Sequence, residues 1–380
     1  MALDKLRNLK KKETKILKKS FHRYLVIGDS LFPILAWQKL SNKYGHCDVG
    51  LLTESKIEMD GLRLTGPSPF RGIDNLACIR ELYPNIEQTA CDHQSVFFKD
   101  GQWRSFNGRS KSETLLFAEP FFTIPRTMML QNTSEFLVTN ANNIDEINQN
   151  ANIHIISSIS RISNEELIDE KTWSIRTSDG HVFECEYLIW GRPERDFFNL
   201  LDDKSIFSNK FLEFYDSNGK VVSVFVKFVF EDNVESDLRT YFIPLSHTHE
   251  WGHFIGEFIH NDEDNGCREV DFVHFLNEID TNEDEVAKRI KILQRGLEKV
   301  FPNIDFKKAT RYITLKNESP CMKIDTCHAE KDIPGMKKLF FTGINAPVEH
   351  LMSDDSCCEY SLKEVSHFTR GLLSISLINC

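Results

Sequence analysis

The chain lacks any stretch near the roughly 20 consecutive apolar residues that a membrane-spanning helix needs. Its richest apolar run, Val221 to Phe230, is ten residues long, carries Lys227 and reads as a strand. The first twenty residues contain no apolar segment, so no secretory signal is expected, and the location expected by default is cytoplasmic. The ten cysteines include no Cys-x-x-Cys pair, which removes support for a zinc knuckle. In an unsecreted chain they are expected as reduced thiols, many of them core filler. No internal repeat is visible. With 41% hydrophobic and 27% charged residues, neither a disordered nor a collagen-like chain fits. The 380 residues are two to three domains' worth.

Charge is unevenly spread along the chain. Residues 1–23 hold nine Lys/Arg against Asp4 and Glu13, a formal +7, which leaves −18 in the rest for the total of −11. An acidic body argues against a broad nucleic-acid footprint. On a helix, Leu6, Leu9, Ile16 and Leu17 share one face with lysines opposite, so residues 1–20 are a candidate peripheral contact with an anionic surface or a protein partner. The plainer reading is a solvated helix leading into the first strand.

The ends and the middle of the chain have different patterns. Arg23 to Gly28 is a short apolar run ending in glycine, as a buried parallel strand would. Leu31, Leu35 and Leu40, flanked by Ile34 and Trp37, follow with helical spacing. Asp48 to Glu54 reads as a second strand ending in an acid, completing a βαβ opening. The middle reads as sheet. It has a hairpin over Ser95–Trp103 turning at Asp100-Gly101, an Asn-rich loop or frayed helix over 140–152, and a strand over 152–162. Strands over 171–176 and 181–189 pair across Ser178-Asp179-Gly180. An antiparallel group follows at 221–230, 240–245, 253–259 and 268–279. Glu283 to Phe301 is an amphipathic helix with Val286, Ile290, Leu293, Leu297 and Val300 on one face. Lys338 to Gly343 returns to strand-then-glycine, and 361–377 reads as a closing helix.

Gly28-Asp29-Ser30-Leu31-Phe32-Pro33 is the most informative stretch. In a dinucleotide turn of the form G-x-G-x-x-G, the first glycine makes the turn, the second admits the pyrophosphate and the third lets helix and strand pack, while an acid about twenty residues on takes the ribose. Gly28 holds the first place and Glu54 the acid's. Ser30 and Pro33 stand at the other two glycines. Glu54-Ser-Lys-Ile-Glu-Met-Asp-Gly61-Leu-Arg63-Leu-Thr65, Tyr187-Leu-Ile-Trp-Gly-Arg-Pro193, Leu339-Phe-Phe-Thr-Gly343 and Cys357-Cys-Glu359-Tyr-Ser-Leu362 follow in order. Together they resemble the flavin-dependent amine oxidase and protoporphyrinogen oxidase superfamily, over roughly 23–75, 150–200 and 220–375, with no single motif intact.

The resemblance implies an α/β chain with a Rossmann-like FAD-binding domain built from both ends and an inserted sheet-rich α+β substrate domain. The expected division is 1–22 as a basic extension, 23–75 with 150–200 and 335–380 as the cofactor domain, and 76–149 with 201–334 as the substrate domain. It implies FAD held by Gly28, Asp29, Ser30, Glu54, Gly61, Arg63, Gly343 and Ser356, and oxidation of a C–N or C–C bond in a small, partly apolar substrate. No catalytic base is nominated. The departures fall on cofactor contacts: Ser30 adds a side chain at the pyrophosphate, Ile344 replaces an acid, and Asp354 and Asp355 crowd the last helix start. Asp29 sets a carboxylate beside a diphosphate, a repulsion of about 1 kcal/mol at 4 Å in water and about 4 kcal/mol at an effective dielectric of 20. The alternative is the same fold without flavin, serving as a non-catalytic binding or accessory protein.

Two further readings compete. Gly28-Asp29-Ser30-Leu31 also matches the nucleophile block of GDSL-type serine esterases, with Asp325 and His328 as orienter and base. A D-x-x-H spacing arises about once by chance in such a chain, and no Gly-x-Asn-Asp block follows. His247, His249 and His253, with Glu257 and His260 beyond, alternate as on one strand face and offer a possible divalent-metal cluster; a surface hairpin is the simpler account. Arg71 and Arg126, each beside a proline-containing loop, are candidate anchors for an acidic substrate, with solvated loops as the plainer alternative.

Overall fold

Lys19–Ile27 (β1) and Val182–Trp190 (β9) run parallel over their whole length, from Lys19 opposite Val182 to Ile27 opposite Trp190. The chain between them, residues 28–181, runs for 154 residues before it returns to that partner. The computed structural model describes residues 18–58, 62, 66–68, 71, 88–105, 122, 126–130, 144–163, 171–206, 221–234, 237–245, 252–261, 266–277, 282–316, 338–343, 375 and 378. These residues form two large sheets.

In the first sheet, Val49–Thr53 (β2) lies parallel on the other side of β1. The short strand Ala151–Ile153 (β6) lies parallel beyond it. Ile156–Ser163 (β7) and Lys171–Thr177 (β8) form a hairpin, and β8 pairs antiparallel with the first half of β9. Leu339–Phe341 (β15) takes the same edge of β9 at its second half, Leu188 to Trp190, and runs parallel to it. The two strand-then-glycine segments therefore share one sheet, with β9 between them rather than as direct neighbours. The strand expected over 152–162 is broken at His154-Ile155 into β6 and β7, which serve different partners.

Each face of this sheet has its own core. Tyr24, Val26, Val49, Leu51 and Ile189 pack on Leu31–Tyr44 (α1) through Ile34, Leu35, Trp37 and Leu40, joined by Ile375 and Ile378. Ile147, from the helix Ile144–Asn150 (α2), is in the same cluster. Leu25, Ile27, Leu52, Leu188 and Trp190 pack instead on the β7–β8 hairpin and on Glu194–Leu200 (α3). Inward positions change parity along β9: Phe183 and Cys185 in its first half, Leu188 and Trp190 in its second.

The second sheet has eight strands. They are Gln88–Lys99 (β3), Gln102–Ser105 (β4), Arg126–Leu130 (β5), Val221–Val234 (β10), Arg239–Pro244 (β11), His253–Asn261 (β12), Gly266–Asn277 (β13) and Thr310–Lys316 (β14). The order is β14-β10-β13-β12-β11-β3-β4, with β5 also on β3. All pairs are antiparallel except β11 with β3. The β3–β4 turn falls at Asp100 (φ 52°) and Gly101 (φ 79°), both in the positive-φ region a two-residue hairpin turn requires. Glu283–Val300 (α4) starts at Asn282, whose side chain accepts the Glu285 N–H at 2.9 Å, and three acids sit in its first turn. It buries the face read from the sequence: Val286, Ile290, Leu293, Leu297 and Val300 pack on Val224, Val226, Phe228, Phe254 and Phe272.

Cys47, Cys91, Cys185 and Cys267 are free thiols. Cys185 and Cys267 are buried as filler, and burial pushes both up, Cys267 to about 11. No described helix is long and apolar enough to cross a membrane.

Gly28 and Gly191 approach each other closely, and both pack against the ring of Pro33. A Cβ at Gly191 would fall 2.4 Å from Pro33 Cβ, and one at Gly28 (φ +138°) 2.8 Å from Pro33 Cγ. Gly191→Ala is expected to lower stability in urea denaturation by about 1–3 kcal/mol through overpacking. Adding Pro33→Gly should recover part of that loss in a double-mutant cycle, because it removes both Pro33 Cβ and Cγ, the two atoms nearest the new methyl.

Candidate functional site

The parallel strands β1, β2, β9 and β15 all end at one edge of the first sheet. From β1 the chain builds outward to β2 and β6 on one side, and later to β9 and β15 on the other. The reversal lies between β1 and β9. In open α/β sheets, ligands bind outside the carboxyl ends of the strands at such a point. Gly28 and Gly191 stand there: the Gly28 N–H donates to Leu52 O at 3.0 Å and the Gly191 N–H to Ile27 O at 2.7 Å.

Four of the expected cofactor residues are gathered at this edge, and Asp29 is a fifth beside them. Ser30 is the N-cap of α1, extended at φ −94° and ψ 175°, and its side chain makes no capping bond. The first turn of α1 carries no acid, so its orphan amides and positive end have no protein anion within the helix. Asp29 turns its carboxylate aside, accepting from Ser55 Oγ at 3.0 Å. Glu54, after β2, forms an ion pair with Arg192 Nη1 at 2.5 Å and accepts the Ile156 N–H at 3.3 Å. Arg192 also pairs with Asp196 at 3.2 Å. Gly343 follows β15 at φ +135°, and no described atom lies within 4 Å of where its Cβ would be. Gly61, Arg63 and Ser356 lie outside the described residues, as do residues 1–17, His247, His249, Asp325 and His328.

A second constellation was not legible in the sequence. On the face of the second sheet away from α4, register aligns one residue from each of six strands: Ser95, Thr240, Glu257, Asp271, Lys227 and Tyr312. The next row in the same direction is largely apolar: Phe97, Phe242, Ile255, Val273 and Phe225. Glu257 is the hub of the polar row. It accepts from Arg71 Nη2, from Arg126 Nη1 at 3.1 Å, from Thr240 Oγ1 at 2.6 Å and from the Ser68 N–H at 3.0 Å. His93 Nδ1 lies 2.7 Å from Arg126 Nη2. Arg71 is fully buried and also donates to Ser68 O and Phe122 O, both at 3.1 Å. The two arginines expected as substrate anchors or solvated loop residues are thus buried partners of one carboxylate. Of the histidine cluster, the His253 side chain is described, and it stacks edge-on against Phe242.

Asp271, 3% exposed, is the other buried acid. Burial pushes its carboxyl up to about 7, offset in part by Lys227 and by a hydrogen bond from the Gly66 backbone. Lys227 Nζ is 3.8 Å from Oδ1 but 2.7 Å from Glu269, and Asp271 Oδ1 has no hydrogen-bond partner. The signal that could have flagged both acids is a lone carboxylate inside an apolar alternation, as in Phe254-Ile-Gly-Glu257-Phe-Ile and Val270-Asp271-Phe-Val.

No family model and no curated protein matches the chain. Solved structures do. A putrescine oxidase bound to putrescine matches with TM-score 0.55 and 8% identity, over 95% of this chain and 99% of that one. An oxidoreductase from Methanosarcina mazei matches with TM-score 0.58 and 10% identity, over 93% and 98%. A CLA-producing fatty acid isomerase from P. acnes matches with TM-score 0.53 and 12% identity, over 94% and 98%. At these identities the likeness is one of fold. The chain shares the fold of these enzymes, a Rossmann-like α/β part with a second, sheet-rich part, as the sequence motifs implied.

Two outcomes follow from the buried acids. Glu257→Ala leaves two buried guanidinium groups without their carboxylate and is expected to cost about 3–5 kcal/mol in denaturant titration. For Asp271 the folded chain keeps its proton to about pH 7, whereas the unfolded chain releases it near pH 4. Its contribution to stability is therefore full below about pH 4 and is lost as pH rises to about 7. Against Asp271→Asn, the wild-type stability should fall more steeply across that window, by up to about 1.4 kcal/mol per pH unit.

Proposed function

We propose that the chain is an FAD-dependent oxidoreductase of amine-oxidase-like type, acting on a C–N or C–C bond of a small, partly apolar molecule. The observation that carries this reading is the uncapped amino end of α1 at the strand reversal, with neither a Ser30 capping bond nor an acid in the first turn. Backbone amides with a helix dipole behind them suit a diphosphate. Glu54 with Arg192 would stand at the ribose end. Pro33 fills the third-glycine place by packing on Gly28 and Gly191, so helix and strand remain close without that glycine. Asp29, bonded to Ser55, is drawn away from the amides.

FAD, when bound, supplies the acceptor for a hydride from substrate carbon. The protein's part is to bind, orient and exclude water. In this reading the cofactor domain comprises 23–75, 150–200 and 335–380, and the substrate domain 76–149 and 201–334. The face of the second sheet opposite α4 would be the substrate wall, its apolar row taking the hydrocarbon part and its polar row fixing a polar end. The neighbours named for putrescine and for fatty acid isomerisation support a small-molecule substrate. They give no support to the esterase reading of Ser30.

The test is the visible spectrum of the purified protein, followed by identification of any flavin released on denaturation. A yellow protein that releases FAD supports the proposal. A colourless protein that FAD does not reconstitute overturns it in favour of a non-catalytic binding protein. Ser30→Asp separates the cofactor role from a structural one. A carboxylate there caps α1 and should hold or raise the melting temperature. It would also repel the diphosphate and lower flavin affinity by about fivefold or more, taking a repulsion of about 1–4 kcal/mol.

A further inference from the structure

We propose that His154, Asp179 and His181 form a binding site for a divalent late-transition cation, with Zn(II) as its simplest occupant, independent of the flavin cradle. One donor atom from each of the three lies within 4.8 Å of the other two. Tetrahedral Zn(II) with bonds of about 2.0–2.1 Å sets its donors about 3.3–3.4 Å apart. His154 Nδ1 and Asp179 Oδ2 are already 2.9 Å apart. The two imidazole rings are 4.4 Å apart between centroids, so small side-chain rotations bring all three donors onto one ion.

The residues come from two segments that the fold brings together. His154 sits in the break between β6 and β7, its N–H bonded to Thr53 O at 2.9 Å. Asp179 and His181 sit in the β8–β9 turn, closed by the Gly180 N–H to Thr177 O at 3.0 Å. A ligand set needs outer partners that fix its orientation, and these are present. Thr177 Oγ1 donates to Asp179 Oδ1 at 2.5 Å and accepts the His181 N–H at 3.0 Å. Phe183 lies against both rings, 5.5 Å from His154 and 6.4 Å from His181. This leaves Asp179 Oδ2 as the oxygen turned toward His154. Two neutral imidazoles and one carboxylate are a donor set that favours Zn(II), Ni(II) or Cu(II) over Mg(II) or Ca(II). The Asp179 side chain is 51% exposed, so an ion can enter and a fourth position is open to water. A bound ion would clip the β6–β7 break to the β8–β9 turn.

The experiment uses the full chain stripped with a chelator and titrated with Zn(II) against a chromophoric competitor. The expected result is one saturable equivalent. His154→Ala, Asp179→Asn and His181→Ala should each weaken it by at least about tenfold, as loss of a ligand costs no less than loss of its supporting partner. His253→Ala, outside the triad, should leave it unchanged. Zn(II) should raise the melting temperature of the wild type but not of the His154→Ala/His181→Ala variant, whose metal-free melting temperature confirms that it is folded. Absence of saturable binding, or binding that survives in that variant, overturns the site and leaves a plain His154–Asp179 ion pair.

Discussion

A single close contact sets the geometry of the first sheet's functional edge. Pro33 packs on both Gly28 and Gly191, where β1 and β9 end side by side. Any side chain at either glycine would push α1 away from the strands, and with it the amide end that makes this edge attractive to an anion. The same contact gives a physical sense to a substitution that looked like damage. The third glycine of a dinucleotide turn lets a helix approach a strand. Here the approach is preserved by moving the glycine to the far strand, at Gly191, and letting a ring fill the gap.

The second sheet answers a different problem, burying charge in the middle of an apolar face. Glu257 is satisfied four ways, by two guanidinium groups, a hydroxyl and a backbone amide. Such a set holds only if every member is present, because a lone buried charge is costly. Arg71 and Ser68 belong to the stretch that leaves β2, so this carboxylate ties chain from the first sheet's carboxyl edge onto the inner face of the second. Gly66 adds a third point on that path, against Phe225 and Asp271. One segment thus runs from the helix-end edge to the polar row.

What could be read from residue order alone was whatever depends on local pattern. The β1–α1–β2 opening, the Asp100-Gly101 turn, the buried face of α4 and the late Leu339-Phe-Phe strand each follow from periodicity or turn chemistry within a few residues. The polar row does not. Alternation along β10, β11, β12 and β13 tells which side chains share a face, but only the register between strands puts Lys227, Thr240, Glu257 and Asp271 in one line. The break at His154-Ile155 was equally hidden, because nothing in an apolar run announces that its two halves will pair with different strands. Arg71 and Arg126 show the same limit. Their neighbouring prolines suggested exposed loops, and a carboxylate well over a hundred residues away decided otherwise.

The late arrival of β15 governs how the molecule can assemble. Leu188 donates its N–H to Lys338 O at 2.9 Å, and Lys338 Nζ pairs with Glu186 at 2.9 Å. The second half of this edge of β9 is therefore satisfied by residues near position 340, while its first half is satisfied by β8 only a few residues away. A nascent chain exposes that second half until residues near position 340 have left the ribosome. Long-range pairing of this kind raises contact order and slows folding, and an open strand edge in the interval invites mispairing with other chains.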